Sequence, residues 1–251
     1  IPFCEQLCWF CTCSKFITKS YEPVEAYLPY LYKEIDILFN LLHENNIKLN
    51  VGTVFFGGGS PTILNRKDLK FLVDKLRKCF DWSDVADFTV EIDPRRVDAD
   101  RLLYNFHECG ANRLSFGMQD FDENVQRRVN RIQPFEMFEK ILTKEVREAY
   151  KTIAFDLLVG QPGQTKKTME KTCDQIIQLK PTKVQTSLLA YKPWIAKAQI
   201  RMVEEGPLPD FMERKELLDV INKKLDAAGY IRIAFESYAL PSDPMVEAKK
   251  R

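Results

Sequence analysis

The sequence runs to 251 residues, 45% of them apolar, enough to fill the core of one large α/β domain or two small ones. Its 37 basic and 36 acidic residues nearly cancel, to a net charge of +1, which excludes a global field that would draw nucleic acid or an anionic membrane surface. No apolar run approaches the roughly 20 residues of a membrane span and no charged leader with an apolar core is present, so the expectation is a cytoplasmic, monomeric protein with neither a membrane nor a nucleic-acid partner.

In chain order, "IPF" reads as the end of a strand that begins before Ile1, and "CEQLCWFCTC" follows it as a loop. Apolar residues at helical spacing in "VEAYLPYLYKEIDILFNLL" predict a helix, and the β-rich "VGTVFFGGG" comes next. "KDLKFLVDKLRKCF" is helical, "DFTVEIDP" a strand, and "DADRLLYNFHECG" a helix with an acidic start and a glycine stop. "NRLSFGMQ" is the next strand. A longer helical stretch from Asp122 to Tyr150 leads into the strand "TIAFDLLVGQP", the helix "TKKTMEKTCDQIIQL" and the strand "KVQTSLLAY". From about Pro193 the rhythm weakens: "EEGPLPD" is a loop, Phe211 to Ala228 an amphipathic helix, and "YIRIAFESYAL" a final strand. Strands alternating with helices predict a parallel sheet covered by helices, closed or partly closed.

Of seven cysteines, Cys79, Cys109 and Cys173 lie singly in helical patterns, where free cysteine behaves as a small buried hydrophobe. Cys4, Cys8, Cys11 and Cys13 are clustered as C-x3-C-x2-C-x-C. A disulfide framework would need an oxidising compartment, to which the sequence shows no route. A structural zinc site is the second alternative, but such sites draw ligand pairs from separated knuckles, and neither His43 nor His107 sits in a paired spacing. An iron–sulfur cluster suits thiolates two or three residues apart on a loop. Cys13, so close to Cys11, is poorly placed as a fourth ligand, and the expectation is three protein ligands with one iron left open.

The polar residues of the predicted strands fall at their C-terminal ends: Gly57, Gly58, Gly59 and Ser60, then Glu91 and Asp93, Gln119, Asp156 and the Ala190 corner. In a β/α barrel that end carries the active site. Three successive glycines would let a ligand come against backbone N–H groups, and no Gly-Lys-Ser/Thr follows to make them a P-loop.

"IPFCEQLCWFCTC", "FFGGGSPTIL", "VEIDPR", "GANRLSFGMQDFDENVQRRVNRIQ" and "FDLLVGQPGQT" closely resemble the radical S-adenosylmethionine (SAM) enzymes of haem synthesis, in the subgroup of oxygen-independent coproporphyrinogen III oxidases (dehydrogenases). The likeness runs over nearly the whole sequence. It implies a partial (β/α)6 barrel of the TIM type over residues 1–192, with the cluster loop at 4–13. Residues 193–251 would form a helix and strand extension that closes the barrel and leads to a C-terminal domain. The start of the first strand, a tyrosine a few residues before Ile1 and most of the C-terminal domain would lie outside the sequence.

Position by position, the resemblance implies that Cys4, Cys8 and Cys11 hold a 4Fe-4S cluster whose open iron takes SAM, with Gly58 and Glu91 against that SAM. Gly59, Ser60, Gln119, Arg131, Asp156 and Ala190 match positions around a second SAM. In "QRRVNR", Arg127 and Arg128 read as a solvated helix face and Arg131 alone as a carboxylate-binding fork. Cys13 is assigned a catalytic part after cluster assembly, in positioning substrate or moving an electron or hydrogen. The implied reaction is the oxidative decarboxylation of coproporphyrinogen III to protoporphyrinogen IX, with flavodoxin or ferredoxin as electron donor. The alternative is a related haem chaperone, which shares the barrel and three cysteines but usually carries an aromatic residue in place of Cys13.

Overall fold

Strand residues divide cleanly between two faces of one sheet. In β1 (Phe3–Cys4) the pattern is too short to show, but in β4 (Asp87–Ile92) and β5 (Arg113–Gln119) every second residue is buried: Phe88, Val90, Ile92, Leu114, Phe116 and Met118. The residues between them, Thr89, Glu91, Ser115, Gly117 and Gln119, are only half-buried on the opposite face. A period of two places the apolar set under the helices and leaves the polar set on an open face. The computed structural model describes residues 1–249.

β3 (Thr53–Phe56), β4, β5, β6 (Thr152–Val159) and β7 (Lys183–Leu188) pair in parallel and in sequence order. β1 pairs with β2 (Phe16–Ile17), and two residues ahead of it Ile1 bonds the segment after β3: Ile1 N donates to Gly57 O at 2.9 Å and Gly59 N to Ile1 O at 2.8 Å. That bond pattern belongs to a parallel pair. The result is an open α/β sheet of largely parallel strands.

The connecting helices begin where local chemistry dictates. α1 (Glu22–Glu44) has a proline in its first turn. Asn65 caps α2 (Arg66–Cys79), and Asp98 caps α3 (Ala99–Arg101), which widens at once into a π-helical segment, Leu102–His107, before Gly110 at φ +97°. α7 (Lys166–Leu179) opens with a reciprocal Thr165–Thr168 box. Phe116, Phe138 and Phe155 meet edge-on or tilted, with ring centroids 5.3 to 6.0 Å apart, at the centre of the core.

Two expectations need correction. The stretch from Asp122 to Tyr150 is not continuous but three short helices, α4 (Glu123–Arg128), α5 (Phe135–Ile141) and α6 (Lys144–Ala149). Asn130 in the left-handed region at φ +54° and Pro134 ahead of α5 break it, because neither can continue a helical hydrogen-bond ladder. The final strand is a hairpin, β8 (Ile231–Ala234) and β9 (Ser237–Ala239), and β9 pairs antiparallel with β7. α8 (Phe211–Ala227), capped by Asp210 and Glu213, lies beside α7 with Lys224 Nζ 2.7 Å from Asp174, and α9 (Pro244–Lys249) follows the hairpin. Among the described residues no helix is long and apolar enough to cross a membrane.

Candidate functional site

A cavity of about 170 Å³ opens at the carboxyl ends of β3 to β6, roofed by the cysteine loop. Cys4, Cys8, Cys11 and Cys13 line it together with Gly58, Gly59, Ser60, Glu91, Gln119, Arg131 and Asp156. Of the twelve residues given site roles from the sequence, eleven line one cavity although they lie on six separate segments. Ala190 does not: it is exposed beyond β7, and its carbonyl accepts a hydrogen bond from Gln199 Nε2 at 2.9 Å.

The loop is held in place by groups far away in sequence. Trp9 N donates to Val129 O at 2.9 Å, and Asn130 Nδ2 donates to Leu7 O at 2.7 Å. Buried Gln199 bridges Phe10 O, at 2.8 Å, to Ala190 O. Lys15 Nζ folds back on the carbonyls of Cys11 and Cys13 at 2.9 and 3.0 Å. The break between α4 and α5, which the sequence pattern concealed, is therefore the platform on which the cysteines sit.

All seven cysteines are free thiols, Cys8 buried and Cys13 exposed. Among the described residues no three His, Cys, Asp or Glu side chains converge as a single-ion site, so the four thiols surround a space rather than a point. A hydrogen bond between the side chains of Cys11 and Cys13 pulls Cys11 down, to about 5, and pushes Cys13 up. Burial, with the neighbouring thiols Cys11 and Cys8, pushes Cys4 up to about 11. Cys8 Sγ accepts from Arg95 Nη2 at 3.4 Å and Arg131 Nη1 at 3.3 Å. The donor set fits a sulfur-rich group with several metal atoms: one thiol is poised as thiolate and another already faces two positive donors.

Asp93 organises those donors. Arg95 grips it through Nε at 2.9 Å and Nη2 at 2.7 Å, and Arg131 Nη2 lies 3.8 Å away. Burial by itself would raise the Asp93 carboxyl, but the Arg95 hydrogen bond and the charges of Arg131 and Arg95 outweigh it and hold it at about 2. Arg131 is not a free fork. Its Nε and Nη2 both donate to Gly117 O, at 3.1 and 2.7 Å, and Nε also reaches Gln133 Oε1 at 3.1 Å.

The glycine turn lines the cavity and also packs against its neighbours. Gly58 N donates to Glu91 Oε2 at 3.1 Å and Gly59 N is taken by Ile1 O, so two of the three amides are already engaged. A Cβ at Gly59 would stand 2.7 Å from the Phe3 backbone, and one at Gly57 would stand 2.9 Å from Glu91 Oε2. The turn is glycine because β1 and Glu91 press against it. Burial raises the Glu91 carboxyl above its ordinary range, and burial does the same to Asp156, whose Oδ2 accepts from Ser115 Oγ at 2.7 Å. Ser60 Oγ and Thr62 Oγ1 are 2.6 Å apart. Gln119 sits at φ +70° after a register shift in β5, an unusual conformation for a residue with a side chain, and its carbonyl accepts from Gln161 Nε2 at 3.2 Å.

Sequence reasoning passed over Arg95, Ser115, Gln6, Phe10 and Lys15, all in the cavity lining. Arg95 follows directly on the strand-end "EIDP" and could have been flagged as a cation beside Asp93; the others carry no distinguishing local signal. Arg127 matches the solvated-face expectation, exposed and paired with Glu205 at 2.8 Å. Arg128 does not, since its side chain is 11% exposed, folded under the surface with its Nε 3.6 Å from Glu205. Cys109 and Cys173 are buried and Cys79 half-buried. His43 and His107 are exposed and away from the cavity.

Residues 1–176 match the sequence model of the Radical SAM superfamily. Over 250 residues the chain is 35% identical to the oxygen-independent coproporphyrinogen III oxidase of Cereibacter sphaeroides, covering all of this chain and 54% of that protein. It is 34% identical over 240 residues to the enzyme of that name in Helicobacter pylori, covering 95% of this chain and 51% of the relative. The solved structure of coproporphyrinogen III oxidase from Escherichia coli, described as a radical SAM enzyme, superposes with a TM-score of 0.91 at 32% identity, covering all of this chain and 56% of that one. A radical SAM methyltransferase from Kitasatospora setae shares the fold alone, with a TM-score of 0.53 at 17% identity over 80% of this chain and 38% of its own. The chain spans about half the length of the curated relatives it matches.

Proposed function

This chain belongs to the radical SAM superfamily, and from that premise we propose that it is the cluster-bearing part of an oxygen-independent coproporphyrinogen III oxidase. Superfamily membership implies a 4Fe-4S cluster and SAM. The observation that most supports the narrower reading is the meeting of the cysteine loop with Glu91, Gln119, Arg131 and Asp156 in one cavity, in a chain whose relatives carry that enzyme name along its full extent.

Cys4, Cys8 and Cys11 would hold the cluster. When bound, it would supply the electron that cleaves SAM to methionine and a 5′-deoxyadenosyl radical, the agent that takes a propionate β-hydrogen from coproporphyrinogen III; loss of carbon dioxide and of one electron to an external acceptor would then leave a vinyl group. The residues of this chain provide position and exclusion of water. Glu91 lines the cavity with Oε2 held by the Gly58 amide, and its other oxygen would serve as an acceptor for an amino or hydroxyl group. Asp156, its Oδ2 accepting from Ser115, would do the same from the next strand but one. Ser60 and Gln119 add a hydroxyl and an amide to the lining, and we assign them, with Gly59 and Arg131, to a second SAM, which Ala190 would meet from outside this cavity. Division into a barrel core over residues 1–192 and an extension over 193–251, and a monomer reduced by flavodoxin or ferredoxin, complete the reading.

Anaerobic reconstitution tests it directly. The protein should take up about four irons and four sulfides per chain and bind SAM, with Glu91→Ala weakening SAM binding while iron content stays unchanged. A reconstituted protein that holds zinc but no sulfide would overturn the reading, and one that binds haem without forming protoporphyrinogen would move it to the chaperone class.

A further inference from the structure

Two buried cations aimed at one sulfur call for an explanation that SAM binding does not supply. Arg95 and Arg131 have side chains 8% and 11% exposed, and both donate to Cys8 Sγ, at 3.4 and 3.3 Å. Burying a guanidinium is costly unless it is paired. The carboxylate between them is Asp93, which satisfies one of the two positive charges. Beyond that carboxylate, the acceptor both guanidiniums share is the Cys8 sulfur. The carboxyls across the cavity, Glu91 and Asp156, are both raised by burial and so are weaker counter-charges.

Arg95 is fixed for this task more firmly than packing alone would require. Its Nε and Nη2 hold both oxygens of Asp93, its Nη1 donates to Gln6 Oε1 at 3.0 Å, and Nη2 is thereby turned toward the sulfur. Gln6 lies on the cysteine loop two residues before Cys8, so the same guanidinium fixes the loop and points at the ligand atom.

We infer that Arg95, aimed by Asp93 and acting beside Arg131, is a positioning residue that hydrogen-bonds the Cys8 sulfur and sets the reduction potential of the cluster. The inference rests on the cluster reading above. Reduction adds one negative charge to the cluster, and a hydrogen bond and a positive charge at a ligating sulfur stabilise the more negative form. Arg95 therefore raises the potential and makes the cluster easier to reduce.

The test is a redox titration of the reconstituted protein without SAM or substrate, followed by the electron paramagnetic resonance of the reduced cluster. Arg95→Met removes charge and donor, and should lower the reduction equilibrium roughly tenfold, about 59 mV for one electron. Arg95→Lys keeps the charge but loses the planar grip on Asp93, and should shift the potential in the same direction by less. An unchanged potential in Arg95→Met at full iron content overturns the inference. Loss of the cluster from both variants, with melting of the metal-free proteins unchanged, makes Arg95 an assembly residue and also overturns it. Failure of the unsubstituted protein to take a cluster removes the underlying reading itself, an outcome separate from an unshifted potential.

Discussion

Cys13 is the exposed member of the four clustered thiols, and its hydrogen bond to Cys11 leaves the pair with the proton favoured on Cys13. In the proposed reading Cys11 binds iron, and Cys13, the exposed one, stays a thiol at the cavity. Iron analysis of Cys4→Ala, Cys8→Ala and Cys11→Ala should show the cluster lost from each, whereas Cys13→Ser in the full-length enzyme should retain iron and SAM binding and lose formation of the vinyl product. Loss of iron from Cys13→Ser would make it a ligand instead. Asp93 offers a second test at the same scale. Its folded-state carboxyl, near 2, lies below the ordinary 3.8, so the stability it contributes is complete above about pH 4 and is lost as the pH falls toward 2. The size is about 2 kcal/mol, the shift multiplied by the free energy of one pKa unit. Asp93→Asn should melt lower at neutral pH by about 3 kcal/mol, because two enclosed guanidiniums lose their counter-charge, and its acid dependence between pH 4 and 2 should be flatter. A parallel pH profile in the two proteins would rule out the ion pair as the cause.

At the scale of elements, the break between α4 and α5 matters more than either helix. Asn130 occupies the left-handed region there, which asparagine tolerates better than most residues, and its side chain reaches the cysteine loop at Leu7 O. Asn130→Ala removes both the conformational tolerance and the bond, at a cost of about 1–2 kcal/mol. Hydrogen–deuterium exchange should then quicken in residues 5–12 while the sheet keeps its protection. Uniformly quickened exchange would mean that the segment supports the whole fold and not the loop. The glycine turn after β3 belongs to the same scale, since it brings β1 and Glu91 into contact and so ties the loop to the sheet on its other side.

For the molecule as a whole, one apolar core joins the strands to α2, α7 and α8, and the hairpin from Ile231 to Ala239 completes the same sheet at its edge. Phe155 lies at 0% exposure between Phe116 and Phe138 in the middle of that core. Phe155→Ala should lower stability by about 3–5 kcal/mol, read as a single shifted melting transition. Two separate transitions, with only the earlier one moved, would show that the core does not unite these elements.

Local periodicity and short spacing were enough for the parallel α/β class, for nearly every element and for the four-cysteine loop, because i, i+2 and i, i+4 patterns and cap residues act within a few positions. The strand-end positions of Glu91 and Gln119 were legible for the same reason, whereas Asp156 stands inside β6, three residues before its end. What only the tertiary structure decided lies in pairs far apart along the chain. Arg95 and Arg131 meet Cys8 across 87 and 123 residues, and Gln199 meets Phe10 across 189. The helical pattern from Asp122 to Tyr150 concealed its breaks because the apolar spacing persists through them, and the final apolar run gave no sign of its antiparallel turn onto β7. The two engaged amides of the glycine turn were hidden too, since a run of glycines looks the same whether a ligand or a neighbouring strand fills the space beside it. Long-range partners are chosen by which surfaces the finished sheet brings together, and no local pattern records that choice.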